Sequence, residues 1–350
     1  MKGIRALARH LNLSVSTVSK ALNGRFDTNV ETRKRVLQAA SELGYVANQS
    51  GRALRQGSTR TVGFMIESNQ ASPTDSDNFF MTVFDGVQTV FRRHHLDLIV
   101  LPCANDEDPA DYLGRMVARG LVDAVIISAT RRNDPRIPLL ERAHIPFIAL
   151  GRSANASHPW IDLDFEGVAR RSVRRLVERG HRQIAVALPA TDLNLGHIFL
   201  KGFKRGLKDQ GIDFTPEFAI PTESSDEGGY QLGRTLLSFK HRPSAVVLSY
   251  ELPAGGLYRA LSEAGVAAGS EMAVIAFRES PATRHLVPRI TSYTTSLRDL
   301  GVALGETLLS TMPEFSEAYS GMKLQRTWPM ALAEGDSDPG RTRRTSKETK

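Results

Sequence analysis

The sequence predicts an N-terminal all-α helix-turn-helix headpiece followed by a larger α/β body of two lobes. Three observations carry that prediction. Positive charge is concentrated at one end: residues 1–60 hold eleven Lys and Arg against three Asp and Glu, while the whole 350-residue chain has a net charge of +7. Short helical patterns separated by Asn and Gly fill the same segment. From Thr61 onward, β-branched runs alternate with amphipathic stretches, the rhythm of mainly parallel α/β structure.

The elements follow in order. Residues 2–9 read as a helix with Ile4, Leu7 and Ala8 on one face. Asn12 breaks it, because Asn tolerates the left-handed conformation that a tight helix–helix turn needs. Ser14 is a good N-cap for a second helix over 15–22, which ends near Asn23-Gly24. A third runs from about Val30 to Leu43, with Val36, Leu37, Ala40 and Leu43 at helical spacing and Gly44 as its stop. Val46 to Arg60 is polar and basic with two glycines, and reads as a linker. In the body, strands are expected at 61–66, 96–102, 122–128, 146–151, 183–189, 244–251 and 272–279, with helices at 79–94, 166–179, 199–210 and 254–264. Seven or eight such units divide more naturally into two lobes than into one sheet. The small, polar, charged segment from Glu334 is expected to be a disordered tail. The expected division is therefore a headpiece at 1–45, a hinge linker at 46–60, a two-lobed body at 61–333 and a tail at 334–350.

Composition removes several classes of function. The 41% hydrophobic content suffices to bury sizeable cores. One cysteine, Cys103, makes neither an internal disulfide nor a metal cluster, and fits a reducing cytoplasm. The opening MKGIRALARHLNLS does not read as a signal peptide, and no apolar run approaches the 18 residues of a membrane span. The nine His never form H-E-x-x-H, and no G-x-S-x-G elbow occurs. Gly255-Gly256 is not a phosphate loop. Phe79, Phe80, Phe84 and Phe91 read as core before anything else. No catalytic residue, metal site or cofactor is nominated.

Ser14 to Lys20 is where the chemistry concentrates. Leu13 and Val18 can face a three-helix core, with Ala21 and Leu22 beside them. Ser14, Thr17 and Ser19 are hydroxyl residues around a helix start, suited to phosphate oxygens. Val15, Ser16 and Lys20 remain on the outer face, spaced to meet base edges in a major groove. Lys20 can donate to guanine O6 or N7, and Val15 can pack on a thymine methyl. The bland alternative is a solvated basic surface on an ordinary helical bundle.

These residues also resemble a known family. The S-x-x-T-V-S-K-A-L-N-G run at 14–24, V-x-T-R-x-R-V at 30–36 and E-L-G-Y at 42–45 are similar to the headpiece of the lactose-repressor (LacI/GalR) family. The likeness continues through Asn48, Arg52, Leu54 and Gly57, where that family has a DNA-contacting hinge helix. It implies that Ser14, Thr17, Ser19 and Asn23 touch phosphates, that Val15, Ser16 and Lys20 read bases, and that Leu54 is a wedge pushed into the minor groove. Asn48 and Arg52 belong to the same DNA-contacting segment. Two departures stand out: Ala47 replaces a usual proline, and Gly51 replaces a better helix former, weakening an isolated helix by about 1 kcal/mol. V-E-R-G-H-R-Q-I at 177–184, Gly202-Phe203, Pro288, Thr291 and Leu300-Gly301 extend the resemblance over the body. The implied fold is a helix-turn-helix headpiece plus a two-lobed α/β periplasmic-binding-protein-like body, with an effector cleft between the lobes.

In that cleft the sequence departs from the family it resembles. Phe199 stands where the family has an arginine, and Ala276-Phe277-Arg278-Glu279 replaces a motif that ends in aspartates. Tyr250-Glu251 replaces an Asn-Asp pair. The effector-binding set implied here is Phe79, Phe80, Asp162, Phe199, Tyr250 and Arg278. Arg278 either recognises an acidic ligand or pairs with Glu251 or Glu279, leaving a pocket for a neutral sugar stacked on aromatic faces. Asp162 either lines the cleft or caps the following helix. The expected partners are near-palindromic double-stranded operator DNA, a sugar or sugar-acid effector, and a second copy in a homodimer. The function implied is transcriptional repression in the cytoplasm. An activator of the same architecture, a periplasmic-type solute receptor and a small-molecule transferase are the rivals, and the last lacks a nucleophile or acid–base pair.

Overall fold

The computed structural model describes residues 3–22, 28–45, 58–67 and 73–340, giving only the backbone of 73–78. The chain divides into two compact units, 1–60 and 61–350.

In the first unit, α1 (Ile4–Leu11) ends at Asn12, whose φ of 54° is left-handed and whose N–H bonds back to the Ala8 and Arg9 carbonyls. The turn is three residues long before α2 (Val15–Leu22) begins behind Ser14. Asn29 caps α3 (Val30–Glu42) by accepting from the Glu31 N–H at 2.8 Å. Leu7, Ala8, Val18, Ala21, Val36, Ala39 and Ala40 form the core, with Leu13, Leu22 and Leu43 packed against it. Leu37, expected inside, is 47% exposed, and Ala39 takes its place. Small alanines let three short helices approach closely enough to close a core this small.

In the second unit, one lobe is a six-stranded parallel sheet in the order β11-β5-β4-β3-β1-β2. Its strands are β1 (Thr61–Glu67), β2 (Asp97–Cys103), β3 (Ala124–Ile127), β4 (Phe147–Leu150), β5 (Trp160–Leu163) and β11 (Gln325–Trp328). The other lobe has a four-stranded parallel sheet, β7-β6-β8-β9, of β6 (Ile184–Pro189), β7 (Ala219–Thr222), β8 (Ala245–Leu248) and β9 (Ala273–Ala276). An antiparallel pair, β10 (Ser292–Thr294) with β12 (Ala331–Ala333), accompanies it. In each parallel sheet the first strand lies between the second and the third, which creates a crevice at the carboxyl ends where strand order reverses. β3, β4, β5, β8 and β9 are buried along their whole length, so their runs are continuously apolar except at Asp162 in β5.

The chain passes between the lobes three times: from β5 into the helix Phe165–Glu178, from β10 into the helix Leu297–Thr311, and from β11 into β12. Leu297–Thr311 returns against α4 (Pro73–Phe91), where Gly86 and Gly301 meet. A Cβ on Gly86 would fall 2.1 Å from the Arg298 carbonyl oxygen and 2.9 Å from the Gly301 Cα, so only glycine permits this crossing.

The tail expected to be disordered from Glu334 is ordered through Gly340. Ser337 accepts at its carbonyl from the Val274 N–H (2.9 Å) and donates its hydroxyl to the Val274 carbonyl (2.5 Å), covering the outer edge of β9. Asp338 is 1% exposed and receives Arg175 Nε and the Thr291 hydroxyl, each at 2.5 Å. The order comes from partners more than 40 residues away in sequence, which local composition does not reveal.

Candidate functional site

The headpiece carries the first candidate surface. The Ser14 hydroxyl accepts from the Thr17 N–H at 3.0 Å and lies 2.8 Å from the Thr17 hydroxyl, fixing the start of α2. Val18 and Ala21 turn into the core; Val15, Ser16 and Lys20 are exposed on the opposite side, and Thr17 and Ser19 are half-buried. Val15, at 36% exposure, is an apolar side chain left uncovered on this unit. The face therefore offers a methyl-bearing group, hydroxyls and an ammonium together, the combination that reads base edges and phosphates. Asn23, Asn48, Arg52 and Leu54 lie outside the described residues.

The second candidate is a cleft of about 730 Å³ between the lobes of the body. Of the residues assigned to effector binding from the sequence, Phe79, Phe80, Asp162, Tyr250 and Arg278 line it. Phe199 does not. It is fully buried, edge-on to Phe277 with centroids 6.2 Å apart, and so backs a cleft residue without reaching the cleft itself. The reason is helical register: in Asn194–Asp209, Phe199 shares one buried stripe with Gly202, Phe203, Gly206 and Leu207. That spacing was visible in the sequence.

Arg278 forms an ion pair with Glu251 and donates to the Glu279 carbonyl at 3.2 Å. Its guanidinium also lies 5.1 Å from the Phe79 ring centroid. Of the two roles open to it, the structure gives the internal pair. Glu279 instead holds Arg284 and Arg289. Asp162 belongs to β5 and lines the cleft, while Asp164 caps the next helix through the Gly167 N–H at 2.9 Å. Burial pushes the Asp162 carboxyl up to about 7, against the pull of Arg152, whose Nε is 3.3 Å away.

Glu67, Thr130, Arg131 and Arg152 also line the cleft, and no motif in the sequence marks them. All four stand at or just beyond the carboxyl ends of β1, β3 and β4, the position that open α/β sheets give to ligands; strand ends were the available signal. Glu67 ion-pairs with Arg131 (3.2 Å) and with fully buried Arg136 (3.4 Å). Its carboxyl is raised by burial, with Arg136 and Arg131 opposing. Two lobe-to-lobe contacts border this wall. The Arg131 backbone bridges Leu193, and Asn194 donates from its backbone to the Thr130 carbonyl (3.0 Å) and from Nδ2 to the Arg152 carbonyl (2.6 Å). Each arginine lining the cleft has a carboxylate beside it, Arg131 with Glu67, Arg152 with Asp162 and Arg278 with Glu251; Glu107 pairs with Arg115, and Asp192 meets the His197 ring. Phe79, Phe80, Tyr250 and Phe277 supply aromatic surface. The arrangement suits reversible binding of a small molecule with both hydroxyl groups and apolar faces. No helix of the described residues is long and apolar enough to cross a membrane, and they contain no group of three His, Cys, Asp or Glu placed to hold a metal.

Comparison with known proteins matches two family models to the chain: bacterial regulatory proteins of the lacI family over residues 4–48, and a periplasmic binding protein-like domain over 173–337. The HTH-type transcriptional regulator AglR of Rhizobium meliloti (strain 1021) is 34% identical over 275 residues, 78% of this chain and 76% of that protein. Among solved structures, the lac repressor dimer bound to operator and the anti-inducer ONPF superposes with a TM-score of 0.81 at 20% identity, covering 97% of this chain and 99% of the repressor. A complex of the transcriptional regulator CelR with cellobiose gives a TM-score of 0.71 at 23% identity over 96% of this chain and 100% of CelR. At these identities the two structures establish likeness of fold.

Proposed function

The chain belongs to the lacI family of bacterial regulatory proteins, and given that membership we propose that it is a cytoplasmic homodimeric repressor. Each headpiece reads half of a near-palindromic operator, with Val15, Ser16 and Lys20 against base edges and Ser14, Thr17 and Ser19 against phosphates. Asn23, Asn48, Arg52 and Leu54 complete the DNA contacts on the family's pattern. A sugar or sugar-derived effector in the cleft shifts the equilibrium between lobe arrangements, and so the operator affinity, by a coupling of typically about 1–3 kcal/mol. We assign the chain no catalytic reaction, since its cleft charges are consumed in ion pairs.

The observation that carries this reading is the joining, in one chain, of a capped second helix with an exposed Val15-Ser16-Lys20 face to a body holding an aromatic cleft whose arginines are each paired with a carboxylate. Genome-wide occupancy of the tagged protein, mapped with and without a series of carbon sources, tests both halves. A shared two-fold operator motif vacated in one carbon source is the expected outcome. Occupancy with no common sequence would remove the base-reading assignment, and occupancy that ignores every carbon source would remove the effector.

A further inference from the structure

A second cavity, of about 580 Å³, lies on the seam between the lobes, apart from the cleft. One lobe supplies Arg132 and Arg152, from the segments that follow β3 and β4. The other supplies Asn194, His197, Lys201 and Lys204 from the helix Asn194–Asp209. These four recur at i, i+3, i+7 and i+10, one face of a helix, while the opposite stripe of Phe199, Phe203 and Leu207 is buried in the lobe. The lobes touch beside the cavity, where Asn194 Nδ2 donates to the Arg152 carbonyl at 2.6 Å.

Charge sets this cavity apart from the cleft, whose arginines are each paired. Arg132, Arg152, Lys201 and Lys204 line it, and Glu166 is the one carboxylate among the described residues that do. Glu166 is taken by Lys201 Nζ at 3.1 Å. Arg152 meets Asp162 only through Nε, at 3.3 Å, and its terminal nitrogens make no hydrogen bond to the described residues. Lys204 Nζ sits 4.4 Å from the Phe214 ring centroid, and neither it nor Arg132 forms an ion pair with a described residue. Two positive charges, those of Arg132 and Lys204, are therefore left over in one concavity, beside apolar Ala154 and Ile198. A neutral sugar would leave those charges unanswered. A phosphate monoester carries about −1.5 to −2 charges near neutral pH and three strong acceptor oxygens, which suit an ammonium and the forked donors of arginine.

We propose that this cavity is a second ligand site, separate from the effector cleft, for a small phosphate monoester. Arg132 and Arg152 hold the phosphate from one lobe and Lys204 from the other, and the organic part rests on Ala154 and Ile198. A ligand bound there ties the lobes together, whatever the cleft contains. Among the described residues Arg152 alone lines both cavities, and its partner Asp162 faces the cleft. Asp192 likewise lines the cleft while its partner His197 lines the second cavity. The wall between the two sites thus contains ion pairs with a member on each side, so a ligand in one site acts on groups of the other.

The test is calorimetry on the full chain with glucose 6-phosphate, AMP and inorganic phosphate, against glucose and adenosine. Glucose 6-phosphate or AMP is expected to bind at least about 10-fold more tightly than its dephosphorylated counterpart, the factor for one charged hydrogen bond. Which of them binds separates a sugar phosphate from a nucleotide as the source of the ester. Inorganic phosphate, without the organic part, should bind more weakly. Arg132→Gln combined with Lys204→Gln should weaken the ester by about 10–100-fold or more. Both side chains are exposed, and a thermal melt reports that the variant is folded. Lys240→Gln removes an exposed charge that lines neither cavity and should leave binding unchanged. The proposal is overturned if neither ester outbinds its counterpart, or if inorganic phosphate binds as tightly as the esters, which would mark a plain anion patch. Ester binding that survives the double variant also overturns it, and its loss with Arg278→Gln would then put the ligand in the cleft.

Discussion

Replacing Asp338 by alanine tests whether the C-terminal segment is part of the fold. The carboxylate is 1% exposed and accepts from Arg175 Nε (2.5 Å), Arg175 Nη2 (3.3 Å) and the Thr291 hydroxyl (2.5 Å), with Arg179 Nε at 3.4 Å. Deleting one partner of a buried ion pair costs about 3–5 kcal/mol when the other charge is stranded. Here the stranding is partial. Arg175 keeps Glu334 at 2.8 Å, and Arg179, at 29% side-chain exposure, reaches water. The Thr291 hydroxyl still accepts from the Gly335 N–H. The expected loss is therefore about 2–4 kcal/mol, or roughly 4–8 °C in Tm for a body of this size. Circular dichroism melts of Asp338→Ala, of Glu334→Gln and of a chain ending at Ala333 measure it. Glu334→Gln, on the solvent side of the same arginine, should barely move the melt, and the truncation should cost at least as much as Asp338→Ala. If Asp338→Ala and Glu334→Gln melt together at the wild-type temperature, the buried network contributes nothing and the reasoning fails.

Three further outcomes are expected. Gly86→Ala should destabilise the body by at least about 1–3 kcal/mol, because its Cβ would meet the Arg298 carbonyl; a thermal melt matching the wild type would show that the helices separate freely. Burial raises the Asp162 carboxyl from its ordinary 3.8 to about 7 in the fold, so the folded state holds an extra proton between those values. The stability it contributes is present at low pH and is lost as pH rises through that window, by up to about 1.4 kcal/mol per unit. Asp162→Asn should flatten this slope, as denaturation at pH 5 and pH 8 would reveal, and an unchanged slope would assign it elsewhere. Lys20→Ala should relax the preference at one base pair per half-site at a cost of about 1–3 kcal/mol; selection from a randomised operator library reads this, and a uniform loss over all sequences would make Lys20 a phosphate contact.

The sequence made the headpiece legible because its signals are local. Asn12 ends α1 through its own backbone conformation, Ser14 and Asn29 cap through their own side chains, and each of these bonds spans no more than four residues. The strands of the body were legible for the same reason: a buried parallel strand is a short apolar run between turn residues. What failed was non-local, apart from Phe199, whose burial follows from the register of its own helix. Ser337 and Asp338 gain order from Val274, Thr291 and Arg175. Phe199 was placed by analogy with an arginine that reaches outward, whereas an aromatic at the same point of the helix turns into the lobe. Glu67 was invisible because a carboxylate at a strand end is ordinary in sequence. Only the packing around it shows one oxygen to be sealed in and unpaired.

The three passages between the lobes also fix the order in which the protein can mature during synthesis. The headpiece closes its core by Tyr45, so it can fold while the rest of the chain is still being made. Neither lobe can. The first sheet lacks its border strand until Trp328 has been added, and the edge of the second stays open until Ser337. At bacterial elongation rates of about 5–20 residues per second, roughly 15–60 s separate a headpiece able to touch DNA from a body able to answer an effector. A transcript cut short between codons 46 and 337 would yield a chain with an intact headpiece and no completed body.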